Sequence, residues 1–372
     1  MMKNILLVFL FFNGLMACQP EIDLETNSLE ELQQKIQGEA ERNGLSSVAY
    51  SLVRNEEILI SSAWGFADKE NKVPATDQTR YLLASVSKTI TAVAIMQLVE
   101  QKRIHLDDDI MAYLPFPLRN PKFPDSKITY RMLLSHMSSI SDRYQSGLDL
   151  YCYGTDCPMT LETFFEETFT ENGLYYSKNN FSNIEPGTAE DYSNLGSALL
   201  GYLVQRITQM PFDEYCKQHI FEVLSMSKTE WRLAKTPLNE LAIPYSSETN
   251  RANPHYTFPD YPNGGLRSSL HDLSIFLRAI IQDGTFQGHQ ILSASSMAEM
   301  KKFQFGSTEQ CLSFYYETIN GKKYLGHSGG EMGVTTEMYF DRDTGLGVVL
   351  LCNDEDADLE NIMALLFHYG EK

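Results

Sequence analysis

A hydrophobic period of two at both ends of the chain, with a helical period between them, most limits the folds open to it. Ser47 to Val53 and Glu57 to Trp64 alternate or run apolar around Arg54-Asn55-Glu56, the pattern of a hairpin. After about Gln310 the same period returns in Cys311 to Ile319, Lys323 to Gly326, Thr335 to Phe340 and Leu346 to Cys352, with turns at Asn320-Gly321 and Asp341 to Gly345. Between the two ends the apolar spacing is helical in Ser87 to Glu100, Thr129 to Ser135, Thr160 to Glu167, Asn194 to Thr208, Phe212 to Val223, Ser269 to Asp283 and Ala294 to Lys302. Further helices fit residues 29 to 42, behind Ser28 as N-cap, and Leu359 to Tyr369. The pattern predicts an α/β (α+β) chain, with an antiparallel sheet built from both termini (29–80 and 303–372) and a mostly helical region (81–302) inserted between them. A site is expected in the cleft between sheet and insertion.

The first residues belong to neither part. Lys3, the apolar run Ile5 to Phe12 and the box Leu15-Met16-Ala17-Cys18 resemble a bacterial lipoprotein signal. That resemblance implies removal of residues 1–17, acylation of Cys18, a tether over 18–28 and a lipid-anchored protein of the cell envelope. Five further cysteines remain, an odd count, and Cys152 with Cys157 is the one local candidate for a disulfide. No Cys/His spacing has the form of a structural zinc site. Thirty Lys and Arg against 49 Asp and Glu give a formal charge of -19, a field that repels phosphate backbones and excludes nucleic acid as the expected partner.

Residues three apart on a helix share a face, so Ser85 and Lys88, at the opening of an amphipathic helix, can touch. A serine hydroxyl needs an adjacent base to act as a nucleophile, and a desolvated lysine can serve. Spacing alone is not selective. Ser225-Met226-Ser227-Lys228 repeats Ser-x-x-Lys, Tyr192-Ser193-Asn194 is echoed by Tyr261-Pro262-Asn263, and His327-Ser328-Gly329 by His368-Tyr369-Gly370.

Order and flanks select one set. Leu82-Leu83-Ala84-Ser85-Val86-Ser87-Lys88-Thr89, then Pro186-Gly187-Thr188 leading into Tyr192-Ser193-Asn194-Leu195-Gly196, then Gly326-His327-Ser328-Gly329-Gly330, resemble the ordered motifs of β-lactamase-related serine hydrolases. This group contains class C β-lactamases, D-alanyl-D-alanine carboxypeptidases, D-aminopeptidases and related esterases. Leu133-Leu134-Ser135-His136, Ile220 to Met226 and Gly264 to Ser269 are similar as well, so the resemblance runs from about residue 30 to 355.

The resemblance implies a β-lactamase/transpeptidase-like fold and hydrolysis of an amide or ester through an acyl-Ser85 intermediate. Lys88 is expected to accept the serine proton, Tyr192 to relay a proton to the leaving group, and Asn194 to orient Lys88 and hold the substrate amide. His327, Ser328, Gly329 and Gly330 are expected to bind substrate, with the oxyanion between the N–H groups of Ser85 and Gly330, on the edge strand that carries His327. Class C β-lactamases have Lys at the position of His327, and a histidine is charged only part of the time near neutral pH. This favours a carboxypeptidase, D-amino-acid peptidase or esterase over a class C-like β-lactamase. A penicillin-binding sensor with negligible turnover would carry the same residues. Ser139 replaces the group's usual glycine, and His136 reads as a hydrogen-bonding support. The chemistry needs no metal or organic cofactor, only a small-molecule or peptide substrate.

Overall fold

A computed structural model of the chain describes residues 22–145 and 150–372. Cys18 and the signal lie outside the described residues. Seven antiparallel strands form the main sheet: β1 (Ser47–Arg54), β2 (Glu57–Asp68), β3 (Val73–Pro74), β4 (Tyr315–Ile319), β5 (Lys322–Glu331), β6 (Val334–Phe340) and β7 (Leu346–Cys352). Their order is β4-β5-β6-β7-β1-β2-β3, so the two ends of the chain meet where Val48 to Arg54 of β1 pair with Cys352 to Leu346 of β7. The sheet expected from the terminal periodicity is therefore present.

Alternation sends the two faces of the sheet to different cores. Val48, Leu52, Val348 and Leu350 pack under helices α1 (Leu29–Arg42) and α5 (Glu360–Gly370), with Leu32, Ile36, Ala40, Ile362 and Leu366. Ala49, Val53, Val349 and Leu351 join a larger core with helices α2 (Ser87–Glu100), α3 (Asn194–Thr208) and α4 (Leu270–Ile281). Cover on both faces explains why β7 is buried at every position and reads as a continuous apolar run. Helix α1 starts as expected, with the Ser28 side chain accepting from the Glu31 N–H.

Some expectations need correction. Residues Ser87 to Leu98 of α2 are buried all round, so this helix is a central rod and not amphipathic as expected. Cys311 to Phe314 is a tight turn, closed by Cys311 N–H to Phe314 O at 2.8 Å with Ser313 at φ 53°, and the strand begins only at Tyr315. The helix that starts at Phe212 widens after Cys216 to a π-helical turn over Lys217–Phe221. The Asn320-Gly321 hairpin is as expected, both residues having positive φ, 46° and 76°.

The correction that matters most for the site concerns β5. It runs on to Glu331, well past the Gly326 end expected from periodicity, and it is not the edge strand. The edge is β4, which pairs only with Lys322 to Gly326. From His327 onward one side of β5 is uncovered. Cys152 and Cys157 are disulfide-bonded, and Cys152-Tyr153 pairs with Tyr256-Thr257 beside this opening. Among the described residues no helix is long and apolar enough to cross a membrane.

Candidate active site

Ser85 lies in a single turn, Ala84–Val86, that leads into α2. Ala84 takes φ 45°, uncommon for a residue with a side chain, and this left-handed step sets the serine at the mouth of the cleft. The next turn of chain brings Lys88 back beside it. Lys88 is buried, and its Nζ lies 2.8 Å from Ser85 Oγ, 2.7 Å from Asn194 Oδ1 and 2.8 Å from the Asn263 carbonyl. Among the described residues it has no carboxylate within ion-pair reach. Burial pulls its ammonium down to about 7, against the more distant negative charges of Asp142, Glu331 and Asp260.

Those contacts match a neutral amine. Two N–H bonds can be donated to Asn194 and Asn263, which leaves the nitrogen lone pair for the Ser85 hydroxyl proton. Tyr192 completes the cluster, its hydroxyl donating to Ser85 Oγ at 3.0 Å. Its ring is 43% exposed along the cleft, while its hydroxyl end is enclosed with Ser85, and the loss of water there raises its pKa.

The segment holding Tyr192 and Asn194 is fixed from below. Asp142 accepts from Ser193 Oγ at 3.0 Å and from the N–H groups of Asn194 at 2.7 Å and Leu195 at 2.9 Å, so it clamps the start of α3. His136 Nδ1 accepts from Ser193 N–H at 3.2 Å, and its ring lies 4.3 Å from the Tyr192 ring. His136 therefore acts as the expected hydrogen-bonding support, with burial pushing its pKa well down. Ser139 keeps the left-handed backbone that a glycine would adopt freely, at φ 61°, and its hydroxyl accepts from Asn120 at 3.0 Å.

Strand β5 forms the facing wall. A Cβ at Gly329 would lie 2.5 Å from Leu83 O and 3.0 Å from Ser85 N, so only glycine lets the strand approach this closely. Thr336 of β6 ties the two together by donating to Leu83 O at 2.8 Å. Gly330 borders open space. The Ser328 N–H points away from β6, to Tyr315 Oη at 3.1 Å. Two residues on, by strand alternation, the Gly330 N–H faces the same uncovered side as the cleft.

Two residues of the expected set behave differently. The Ser328 hydroxyl is bound to Tyr315 Oη at 2.6 Å, on the opposite strand face from Gly329, and among the described residues no bond joins it to the Ser85 cluster. His327 is buried, and burial pushes it down to about 3, so it is a neutral imidazole and not a partly charged one. Its Nδ1 lies 2.5 Å from the Ser328 carbonyl, which can only accept; the proton is on Nδ1, and the buried Nε2 is an acceptor with no partner among the described residues.

The other copies of the motifs fare differently from one another. Ser225 is exposed, and Lys228 pairs with Glu240. His368 meets Glu25. Tyr261-Pro262-Asn263 is a single helical turn that supplies the Asn263 carbonyl to Lys88 and the Pro262 carbonyl to Thr91, contacts that sequence reasoning missed. Asp142 was missed too, and so was Glu331, which Tyr151, from the aromatic-rich stretch Tyr144 to Tyr153 that could line the cleft or pack in a core, meets at 2.6 Å. No spacing in the sequence marks any of them. Among the described residues no group of three or more His, Cys, Asp or Glu could hold a metal ion.

Comparison with known proteins gives the expected β-lactamase/transpeptidase-like fold. Protein flp of Staphylococcus aureus (strain N315) is 21% identical over 354 residues, covering 89% of this chain, which spans 64% of that relative's length. The octameric penicillin-binding protein homologue of Pyrococcus abyssi superposes with a TM-score of 0.74 at 22% identity, covering 93% of this chain and 78% of that one. The D-amino acid amidase of Ochrobactrum anthropi SV3 gives 0.73 at 22% identity, covering 91% and 98%. At such identities these structures establish likeness of fold. The β-lactamase family profile matches residues 32–366, from the first turn of α1 into α5, and the chain thus belongs to the β-lactamase family of serine hydrolases.

Proposed function

We propose that the protein hydrolyses an amide or ester through an acyl-Ser85 intermediate, most closely in the manner of a D-alanyl-D-alanine carboxypeptidase, D-amino-acid peptidase or esterase. The observation that carries this reading is Lys88, buried without a paired carboxylate, pulled down to about 7 and 2.8 Å from Ser85 Oγ. Neutral Lys88 takes the Ser85 proton as Oγ bonds to the acyl carbon. The negative charge on the carbonyl oxygen falls between the N–H groups of Ser85 and Gly330, an arrangement in which losing one donor costs about 3 kcal/mol of transition-state stabilisation. Tyr192, bonded to Ser85 Oγ, passes a proton to the leaving nitrogen or oxygen as the tetrahedral intermediate collapses. Protonated Lys88 returns the proton to Tyr192 through the Ser85 cluster and is neutral again; water then attacks the acyl-serine, giving its proton to Lys88, and that proton passes to Ser85 Oγ as the acid is released.

A neutral His327 supplies no positive charge for a substrate carboxylate, which favours the D-amino-acid peptidase and esterase readings; a class C-like β-lactamase is the second reading. The test is intact-mass spectrometry after exposure to a fluorophosphonate, a penicillin and a D-Ala-D-Ala peptide. An adduct on the native chain that is absent from Ser85→Ala is expected; equal labelling of both would refute Ser85 as nucleophile. Rapid loss of penicillin would favour the lactamase, and a lasting penicillin adduct without turnover the sensor. Anchoring at the cell envelope through Cys18 belongs to the same proposal, and the mass of the N-terminal peptide from membranes tests it.

A further inference from the structure

Beyond Gly330, β5 ends in Glu331, a half-buried residue whose Oε1 accepts from the Tyr151 hydroxyl at 2.6 Å and from the Met332 N–H at 3.0 Å. Side chains repeat on one strand face every second residue, about 6.8 Å apart. Glu331 thus shares the face of Gly329, one repeat past the place where the strand meets Ser85, while His327 stands one repeat before it. Among the described residues no lysine or arginine pairs with Glu331, yet its charge reaches Lys88.

The Tyr151 ring, whose hydroxyl binds this carboxylate, belongs to an aromatic cluster. Tyr151 packs edge-on to Tyr256 at 5.1 Å and to Phe258 at 6.1 Å, with Tyr153 at 6.2 Å. The group is next to the nucleophile: a Cβ placed on Gly264 would lie 3.4 Å from Phe258 Cζ and 3.6 Å from the carbonyl carbon of Ala84. A carboxylate backed by aromatic faces is a receptor for an organic cation, through the ion pair and the ring quadrupole together. The opposite flank repels no such ligand, because His327, buried and with no partner at Nε2 among the described residues, carries no positive charge.

We infer that the substrates of this site carry a primary ammonium group close to the scissile amide or ester, held between the Glu331 carboxylate and the Tyr151 ring. This rests on the acyl-Ser85 reading above and adds to it the charge of the substrate.

Benzylamine, benzyl alcohol and benzoate are matched probes, and calorimetric titration of the chain carrying Ser85→Ala reads their binding without chemistry. Benzylamine is expected to bind about tenfold more tightly than benzyl alcohol, with benzoate weakest, and the ratio is expected to collapse toward one in Ser85→Ala with Glu331→Gln. Undetectable benzylamine binding, a ratio near one, or a ratio that survives Glu331→Gln overturns the ammonium site. So does a preference for benzoate, which would make Arg143, exposed on the turn of Asp142, the charge that selects substrate. Fluorophosphonate labelling of the unaltered chain is read separately: failure to label Ser85 refutes the acyl-serine reading, whatever the titration gives.

Discussion

The chain carries Ser-x-x-Lys twice, and the surroundings of the two copies differ at each end. In Ser85 to Lys88 a left-handed Ala84 turns directly into a buried helix, and the lysine is enclosed by uncharged acceptors on Asn194 and Asn263. In Ser225 to Lys228 the left-handed residue is the serine itself, at φ 59°. No helix follows, and the lysine, 27% exposed, is neutralised by Glu240 at 3.2 Å. In the proposed mechanism, reactivity comes from what Lys88 is denied: water and, among the described residues, a paired carboxylate. An exposed ion pair keeps an ammonium protonated, whereas burial beside carbonyl oxygens alone releases the proton.

This contrast can be broken most sharply at the serines. Ser85→Ala is expected to lower acylation by a fluorophosphonate by about 10⁴-fold or more, while Ser225→Ala leaves it within about twofold; equal losses in intact-mass time courses would dissolve the distinction. Next come the lysines. Lys88→Arg is expected to cost about 10³-fold, as much as Lys88→Ala, because a guanidinium cannot give up its proton. Lys228→Arg preserves the Glu240 pair, so its rate should stay near that of the unaltered chain, with thermal unfolding as the control for folding. Substantial activity in Lys88→Arg would remove Lys88 as the base.

A smaller effect is expected from Tyr192→Phe, about 10²-fold on hydrolysis of an amide and less on an activated ester, whose leaving group needs no proton. Equal losses on both substrates would assign Tyr192 to another step. The mildest test is pH. The base is the neutral form of Lys88, so acylation should rise about tenfold per unit below pH 7 and level off above it, following the value near 7. The sign is opposite for a protonated catalyst, and a rate falling through pH 7 would contradict the mechanism. Stability is linked in the same direction: the folded pKa lies below the unfolded value of 10.5, so the unfolded chain binds more protons between about 7 and 10.5, and this residue's contribution to stability increases with pH across that window.

Much of the fold was legible because it is written in periodicity. The chosen bounds of α2 and α3 and the placement of β1 and β7 rest on local spacing and on N-capping residues such as Ser193, whose hydroxyl accepts from Gly196 N–H. The π-helical turn after Cys216 and the full length of β5 were not legible, since packing from neighbouring elements overrides local preference there. At the site, Ser85, Lys88, Tyr192 and Asn194 were found by order and are brought together. Asp142, the Asn263 carbonyl and the Tyr151–Glu331 pair were not, because a backbone oxygen or a capping carboxylate has no sequence signature of its own.

The sequence by itself determined which residues could meet along one segment: a serine and a lysine three apart on a helix, a glycine pair on the strand that carries His327, and a sheet assembled from both termini. Tertiary structure alone decided the ionisation of those groups. The ammonium of Lys88 is pulled down to about 7 because segments distant in sequence bury it, and burial likewise keeps His327 neutral. It also decided that β5 faces the nucleophile with an open side, since β4 stops at Tyr315 opposite Gly326. Protonation and access depend on desolvation, which arises from the summed packing of chain segments that share no local pattern.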